Sequence, residues 1–229
     1  NARIKSDSLG IRTMDFEKEK VDFDQLYCGW KEVNTSADKV DGLYAAKSLA
    51  NEFDLVPNQF IILKDEANPK HTAVARCAPD GKTLRPLRNG DLHPMGISAR
   101  NVQQRMAIEL MCDPEVELVT LVGTAGTGKT LLALACGLMQ VTQEQRYDKV
   151  LVSRPIMPLG KDIGYLPGSK EEKLGHWMLP IYDNLAYLLT RKGTKGEISK
   201  KVDEFLRTGV IELEALTYIR GRSIPKQYM

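Results

Sequence analysis

The stretch Gly123–Thr130, GTAGTGKT, constrains this chain more than any other eight residues. It matches the spacing GxxxxGK[ST] through Gly123, Gly128, Lys129 and Thr130. One apolar run, ELVTLVG, leads into it, and a second, LLALACGLM, leads out. A buried strand, a glycine-rich turn and a buried helix in that order leave few folds open. The turn has to swing its N–H groups inward, into backbone conformations that glycine tolerates and other residues resist. The helix then aims its positive N-terminus at the same point. Such a cradle suits the phosphates of a nucleotide. The backbone from Gly123 through Thr124, Ala125, Gly126, Thr127 and Gly128 lines it. The Lys129 ammonium reaches the β- and γ-phosphates, and the Thr130 hydroxyl is the expected ligand for Mg2+.

Splitting a phosphate usually needs a carboxylate on a later strand as well, to hold the magnesium. VIELE offers Glu212 and Glu214, but they alternate with Ile211 and Leu213, the ordinary pattern of a half-solvated strand. FIILKDE offers Asp65 and Glu66, but it precedes the phosphate loop and belongs to a different region. The magnesium carboxylate is therefore expected beyond Met229, with the P-loop domain cut before its Walker B strand. On that expectation residues 1–229 bind nucleotide and hydrolyse it slowly. The chain starts at Asn1 rather than methionine and reads as a piece of something longer.

The chain falls into three regions. Residues 1–30 are short of apolar runs and acidic after Gly10, and read as a tail and linker rather than a domain. Residues 31–95 read as a small β-rich module introduced by one helix, DKVDGLYAAKSLANEF, capped near Ser36 or Asp38. NQFIILKDE reads as a strand, and HTAVARCAP with KTLRPLR as a hairpin turned at Asp80-Gly81. From residue 96 helices and strands alternate, the pattern of an α/β domain. SARNVQQRMAIELMC reads as a helix capped by Ser98, with Ala99, Val102, Met106, Leu110 and Met111 on one face. KVLVSRP is the next strand after the phosphate-loop helix. SKEEKLGHWMLPIYDNLAYLLTRKG reads as a helix with Ser169 and Glu172 at capping-box spacing, kinked or split by Pro180. EISKKVDEFLRTG is a helix ended by Gly209, with Ile198, Val202 and Phe205 on one face, and VIELEALTYI is a last strand.

Charge and composition exclude little. Net charge is 32 − 30 = +2, but it is uneven: residues 1–145 carry 17 − 20 = −3 and residues 146–229 carry 15 − 10 = +5. A modest basic bias after the phosphate loop permits a polyanion partner without requiring one. Cys28, Cys77, Cys112 and Cys136 show no CxxC spacing and read as free thiols in a reducing, cytoplasmic compartment. The most apolar stretch is far shorter than the ~20 residues that a membrane span needs, so no membrane partner is expected.

Together with GTAGTGKT, the segment SRPIMPLGKDIGYLPGSKEEKLGHWMLPIYDN, residues 153–184, resembles the PhoH family of P-loop ATPases. ISARNVQQRMAIEL and IRGRSIPKQYM also stand where that family has them. NARIKSDSLGI resembles the closing helix of a PIN-type ribonuclease domain, and NQFIILKD the connecting module of proteins that fuse PIN and PhoH domains. The PIN carboxylates are absent, so nuclease activity is not expected in these residues. The resemblance implies an α/β, RecA-like P-loop ATPase domain behind the β-rich module. It further implies ATP as the nucleotide, RNA as the polymer acted on, helicase-like activity and assembly as a homo-oligomer, a hexameric ring. By the same resemblance Asn101 and Gln104 are adenine contacts, Gln104 above all, while Arg154, at the carboxyl end of the strand KVLVS where ligands lie in open α/β sheets, is a candidate phosphate or nucleic-acid contact. Arg220, Arg222 and Lys226 suit RNA phosphates or a γ-phosphate across a subunit boundary, and Lys161 and Asp162 RNA or a neighbouring subunit. Trp177 could stack on a base, but a tryptophan in an amphipathic helix is more often core. The competing reading is a nucleotide-binding assembly module, in which ATP holds a ring together and turnover is incidental. A small-molecule kinase fits less well, for want of a separate substrate lid.

Overall fold

The segment FIIL shows how the first half is built, because it is apolar on both faces of a strand. A strand points successive side chains to opposite sides. Ile61 and Leu63 enter one core, with Val40 and Leu43 of a helix, while Phe60 and Ile62 enter another on the far side of the same sheet. The computed structural model describes residues 9–10, 27–88, 92–154, 170–190, 195–219, 221 and 223–229.

The first sheet contains β1 (Trp30–Thr35), β2 (Leu49–Ala50), β3 (Phe60–Asp65), β4 (Thr72–Cys77) and β5 (Thr83–Pro86), in the order β1-β3-β4-β5-β2. β1 runs parallel to β3, pairing Trp30 with Phe60 and Thr35 with Asp65. Helix α1 (Ala37–Ala46) lies between them in sequence and makes the crossover. β3, β4 and β5 are antiparallel. The expected hairpin is present, with Gly81 at φ +69°. The Asp80 carboxylate accepts hydrogen bonds from the amides of Lys82 and Thr83, which hold its pKa below the usual carboxylate value.

Two features of this half differ from the sequence reading. A strand, WKEVNT, precedes the helix; its charged positions hid the alternation of Trp30 and Val33. The helix also stops seven residues early. Lys47 adopts φ 53°, and Leu49 and Ala50 leave the helix to pair with Leu84 and Thr83.

The second half has a parallel sheet of β6 (Lys149–Arg154), β7 (Ile211–Ala215) and β8 (Gln227–Tyr228), in the order β7-β6-β8. Helices α2 (Val102–Met111), α3 (Lys129–Thr142), α4 (Lys170–Thr190) and α5 (Lys195–Arg207) accompany it. The apolar face of α3, including Leu134 and Leu138, forms its core with Val150, Leu185 and Ile211. The fold class is thus α/β, as expected.

Four details correct the reading of this half. VIELEALTYI is a strand only to Ala215, after which Leu216–Ile219 form a short helix, α6. β8 was not foreseen; two residues give no period to read, and the strand exists through its pairing with Lys149 and Val150. α4 runs through Pro180 as one helix rather than splitting there. ELVTLVG forms no strand, because no described residue pairs with it. Val119 and Leu121 still touch the core, while Leu118 and Val122 are 85% and 75% exposed. Gly209 ends α5 at φ +74°, and Val202 is buried, as read. Ser169 and the side chains of Glu172 and Ile198 lie outside the described residues. Among the described residues no helix is long and apolar enough to cross a membrane.

Candidate nucleotide site

The phosphate loop has the local geometry its glycines predict. Gly126 and Gly128 lie at φ +80° and +86°, where a Cβ is strained. Gly128 is the N-cap of α3, and its carbonyl accepts the first helical hydrogen bond, from the Leu132 amide at 2.9 Å. Lys129 and Thr130 open the helix. The Lys129 ammonium donates to the carbonyls of Gly123 and Thr124, each at 2.8 Å, and lies 3.3 Å from Thr127 Oγ1. Thr127 Oγ1 in turn donates to the Thr124 carbonyl at 2.9 Å. The lysine thus sits in the mouth of the loop on neutral acceptors, where an anion would be the stronger partner. Residues 123–127 are exposed, Ala125 among them.

The start of α2 reaches this loop. Gln104 Nε2 donates to the Thr127 carbonyl at 3.2 Å, and Gln104 Oε1 accepts from the Arg100 amide at 2.8 Å. Asn101, rather than Ser98, caps the helix. Its side-chain oxygen accepts from the Gln104 amide at 2.8 Å, while Ser98 Oγ pairs with the His93 ring. Asn101 is therefore spent on its own helix in this geometry, and Gln104 is the residue that touches the nucleotide loop.

Thr130 and Ser153 line one cavity of about 150 Å³ with Ala133, Leu134, Tyr228 and Met229. Ser153 Oγ is buried and takes no hydrogen-bond partner among the described residues. A buried hydroxyl left unpaired is costly, so a water or polar ligand entering from the Thr130 side would satisfy it. The rest of the lining is mostly apolar, so Thr130 and Ser153 are the polar groups that this cavity offers to a ligand. Sequence reasoning missed Ser153; its position at the carboxyl end of the strand after the phosphate-loop helix was the available signal. Among the described residues no group of three or more His, Cys, Asp or Glu could hold a metal ion. Glu212 is ion-paired with Lys149. Glu214 stands beside Ser153 across the β6–β7 ladder. Asp65 lies in the first sheet, where it pairs with His71.

Arg154 is exposed at the carboxyl end of β6, on the same strand as Ser153. Lys226 is exposed at the entry to β8. Arg220, Arg222, Lys161, Asp162 and the side chain of Trp177 lie outside the described residues.

A family model described as "PhoH-like protein" matches residues 96–229, which hold the whole phosphate loop and all of α2. The chain belongs to the PhoH family. It carries the P-loop ATPase-type domain of that family, and with it the expectation of a bound nucleotide and Mg2+. The relatives agree. Protein PhoH2 of Bacillus subtilis is 46% identical over 99% of this chain and 52% of its own length. Protein PhoH2 of Thermobispora bispora is 33% identical over 97% of this chain and 48% of its own length. Protein PhoH2 of Mycolicibacterium smegmatis is 31% identical over 99% of this chain and 49% of its own length. The chain thus spans about half the length of these relatives, and the match extends through the first sheet as well as the PhoH region.

Proposed function

We propose that this chain is the ATP-binding and ATP-hydrolysing part of a cytoplasmic, RNA-directed, helicase-like PhoH ATPase that works as a homo-oligomeric ring. The observation that carries the reading is the phosphate loop, with its glycines at positive φ and Lys129 poised on the carbonyls of Gly123 and Thr124. The loop amides and the N-terminus of α3 hold the triphosphate. Lys129 exchanges carbonyl oxygens for charged phosphate oxygens and neutralises charge there as the terminal phosphate is transferred to water. Thr130 would hold Mg2+, which supplies further neutralisation of the phosphates when bound. Gln104 links the loop to the helix proposed to face adenine. Arg154, with Arg220 and Arg222, supplies cations for phosphate or RNA, in keeping with the basic bias of residues 146–229.

The deciding experiment measures ATP hydrolysis with and without single-stranded RNA, alongside sedimentation with and without ATP. Hydrolysis that rises with RNA supports the proposal. ATP-dependent assembly with no response to RNA favours an assembly module instead.

A further inference from the structure

Helix α2 belongs to two cores at once. Met106, with Val102 and Leu110, packs on Phe60, Ile62 and Leu87 of the first half. Ile108, Met111 and Cys112 pack on α3 and the second sheet. The single apolar face expected from sequence is in fact two. Each end of the helix is also tied down. At its start Gln104 holds the Thr127 carbonyl. Just past its end the Asp113 carboxylate accepts from Arg76 Nη1 of β4 at 2.5 Å, and both side chains are only 10% exposed. Arg76 Nε and Nη2 both donate to Asn58 Oδ1 at the entry to β3. Burial raises the Asp113 pKa, but the Glu115 amide, Arg76 and Arg88 bring it below the usual carboxylate value. On the other side Gln140 of α3 donates to the Met111 carbonyl at 3.0 Å.

We propose that the Arg76–Asp113 clasp is a positioning device for the nucleotide site, through which the first sheet sets the phosphate loop's affinity for ATP. A ten-residue helix is a rod of about 15 Å, so tilting one end displaces the other. Close-packed interfaces shift between discrete arrangements rather than deforming smoothly. With Arg76 removed, the Asp113 carboxylate keeps the Glu115 amide at 3.0 Å and the more distant Arg88 at 3.9 Å, but it loses its close charged donor from β4, and α2 shifts on its seat against β3 and β4. Gln104 then no longer holds Thr127 in place, the fraction of loops ready for phosphate falls, and apparent affinity falls with it. Arg76 and Asp113 touch no part of the nucleotide; they act through Gln104.

The proposal rests on the phosphate-loop reading, and the test separates the two. ATP with magnesium chloride is titrated by calorimetry into residues 1–229 carrying Arg76→Gln, Arg76→Lys, Gln104→Ala and Arg76→Gln with Gln104→Ala, each checked for fold by circular dichroism. Arg76→Gln is expected to weaken ATP about three- to tenfold, a usual size for such coupling. Arg76→Lys, which keeps the charge facing Asp113, restores most of it. In the Gln104→Ala background Arg76→Gln changes affinity less than about twofold. A merely structural arginine would lower thermal stability equally in both backgrounds without this loss of effect. Should Arg76→Gln fail to fold, Asp113→Asn is measured in the same pair of backgrounds. A folded clasp variant that binds like the parent, or that loses equally in both backgrounds, overturns the proposal. Binding indifferent to Lys129→Ala would instead bring down the phosphate-loop reading.

Discussion

Substituting Gly137 by alanine tests how β8 is held beside the nucleotide site. A Cβ built on Gly137 would lie 2.5, 2.7 and 3.2 Å from three atoms of the Tyr228 ring. Two of those distances are closer than carbon atoms can sit, so the ring must move. It has little room, because Tyr147 packs edge-on against it with centroids 5.7 Å apart. Burial also raises the Tyr228 pKa, which fits a ring held in the core. Overpacking of this kind costs about 1–3 kcal/mol. Against it stands the gain of about 1 kcal/mol from replacing glycine by alanine inside a helix. The net expectation is a loss of about 0–2 kcal/mol. It should fall first on β8, which among the described residues pairs with Lys149 and Val150 alone. In a Tyr228→Ala background the clash is gone, and the same substitution should stabilise the protein by about 1 kcal/mol. The assay is urea unfolding of the four proteins of this cycle, with hydrogen exchange of the 223–229 segment as a local readout. A change of the same sign and size in both backgrounds would refute the reasoning, as would full protection of 223–229 in Gly137→Ala.

Other consequences can be checked separately. Lys129→Ala removes the charged donor to the phosphates, worth about 1.5–3 kcal/mol, so ATP affinity by calorimetry should fall roughly ten- to hundredfold with the fold intact. Gln104→Ala should weaken ATP more than GTP if this amide reads adenine; equal losses would confine its role to Thr127. His71 bridges Asp65 and Asp41, and hydrogen bonds to these carboxylates raise its pKa. A raised folded pKa means that its contribution is complete below the unfolded value of about 6.5 and fades as pH rises through the higher folded value. Thermal midpoints of the parent should therefore fall relative to those of His71→Gln as pH rises above about 6.5, and parallel curves would exclude the effect. Arg76→Gln should lose affinity only where Gln104 is present, read by the same calorimetric titration in both backgrounds.

What the sequence by itself determined were the features whose cause is local. The phosphate loop was legible because glycines at two positive-φ positions and a lysine at the helix start are needed in that order along the backbone. The Asp80-Gly81 hairpin, the apolar α3 and the glycine stop of α5 were legible for the same reason. Tertiary structure decided everything that depends on a distant partner. A strand exists through its ladder, so WKEVNT became β1 because β3 lay ready to receive it, and Gln227–Tyr228 became β8 beside β6. ELVTLVG, with the stronger apolar pattern, found no partner among the described residues and stayed unpaired. The polar residues of the site divided in the same way. Asn101 and Gln104 were legible as a pair one helical turn apart. That one caps its own helix while the other grips the phosphate loop was settled only by bringing residue 104 to residue 127. The Arg76–Asp113 clasp spans 37 residues and left no mark in the local pattern, because nothing near either residue requires the other until the helix and the sheet are packed together.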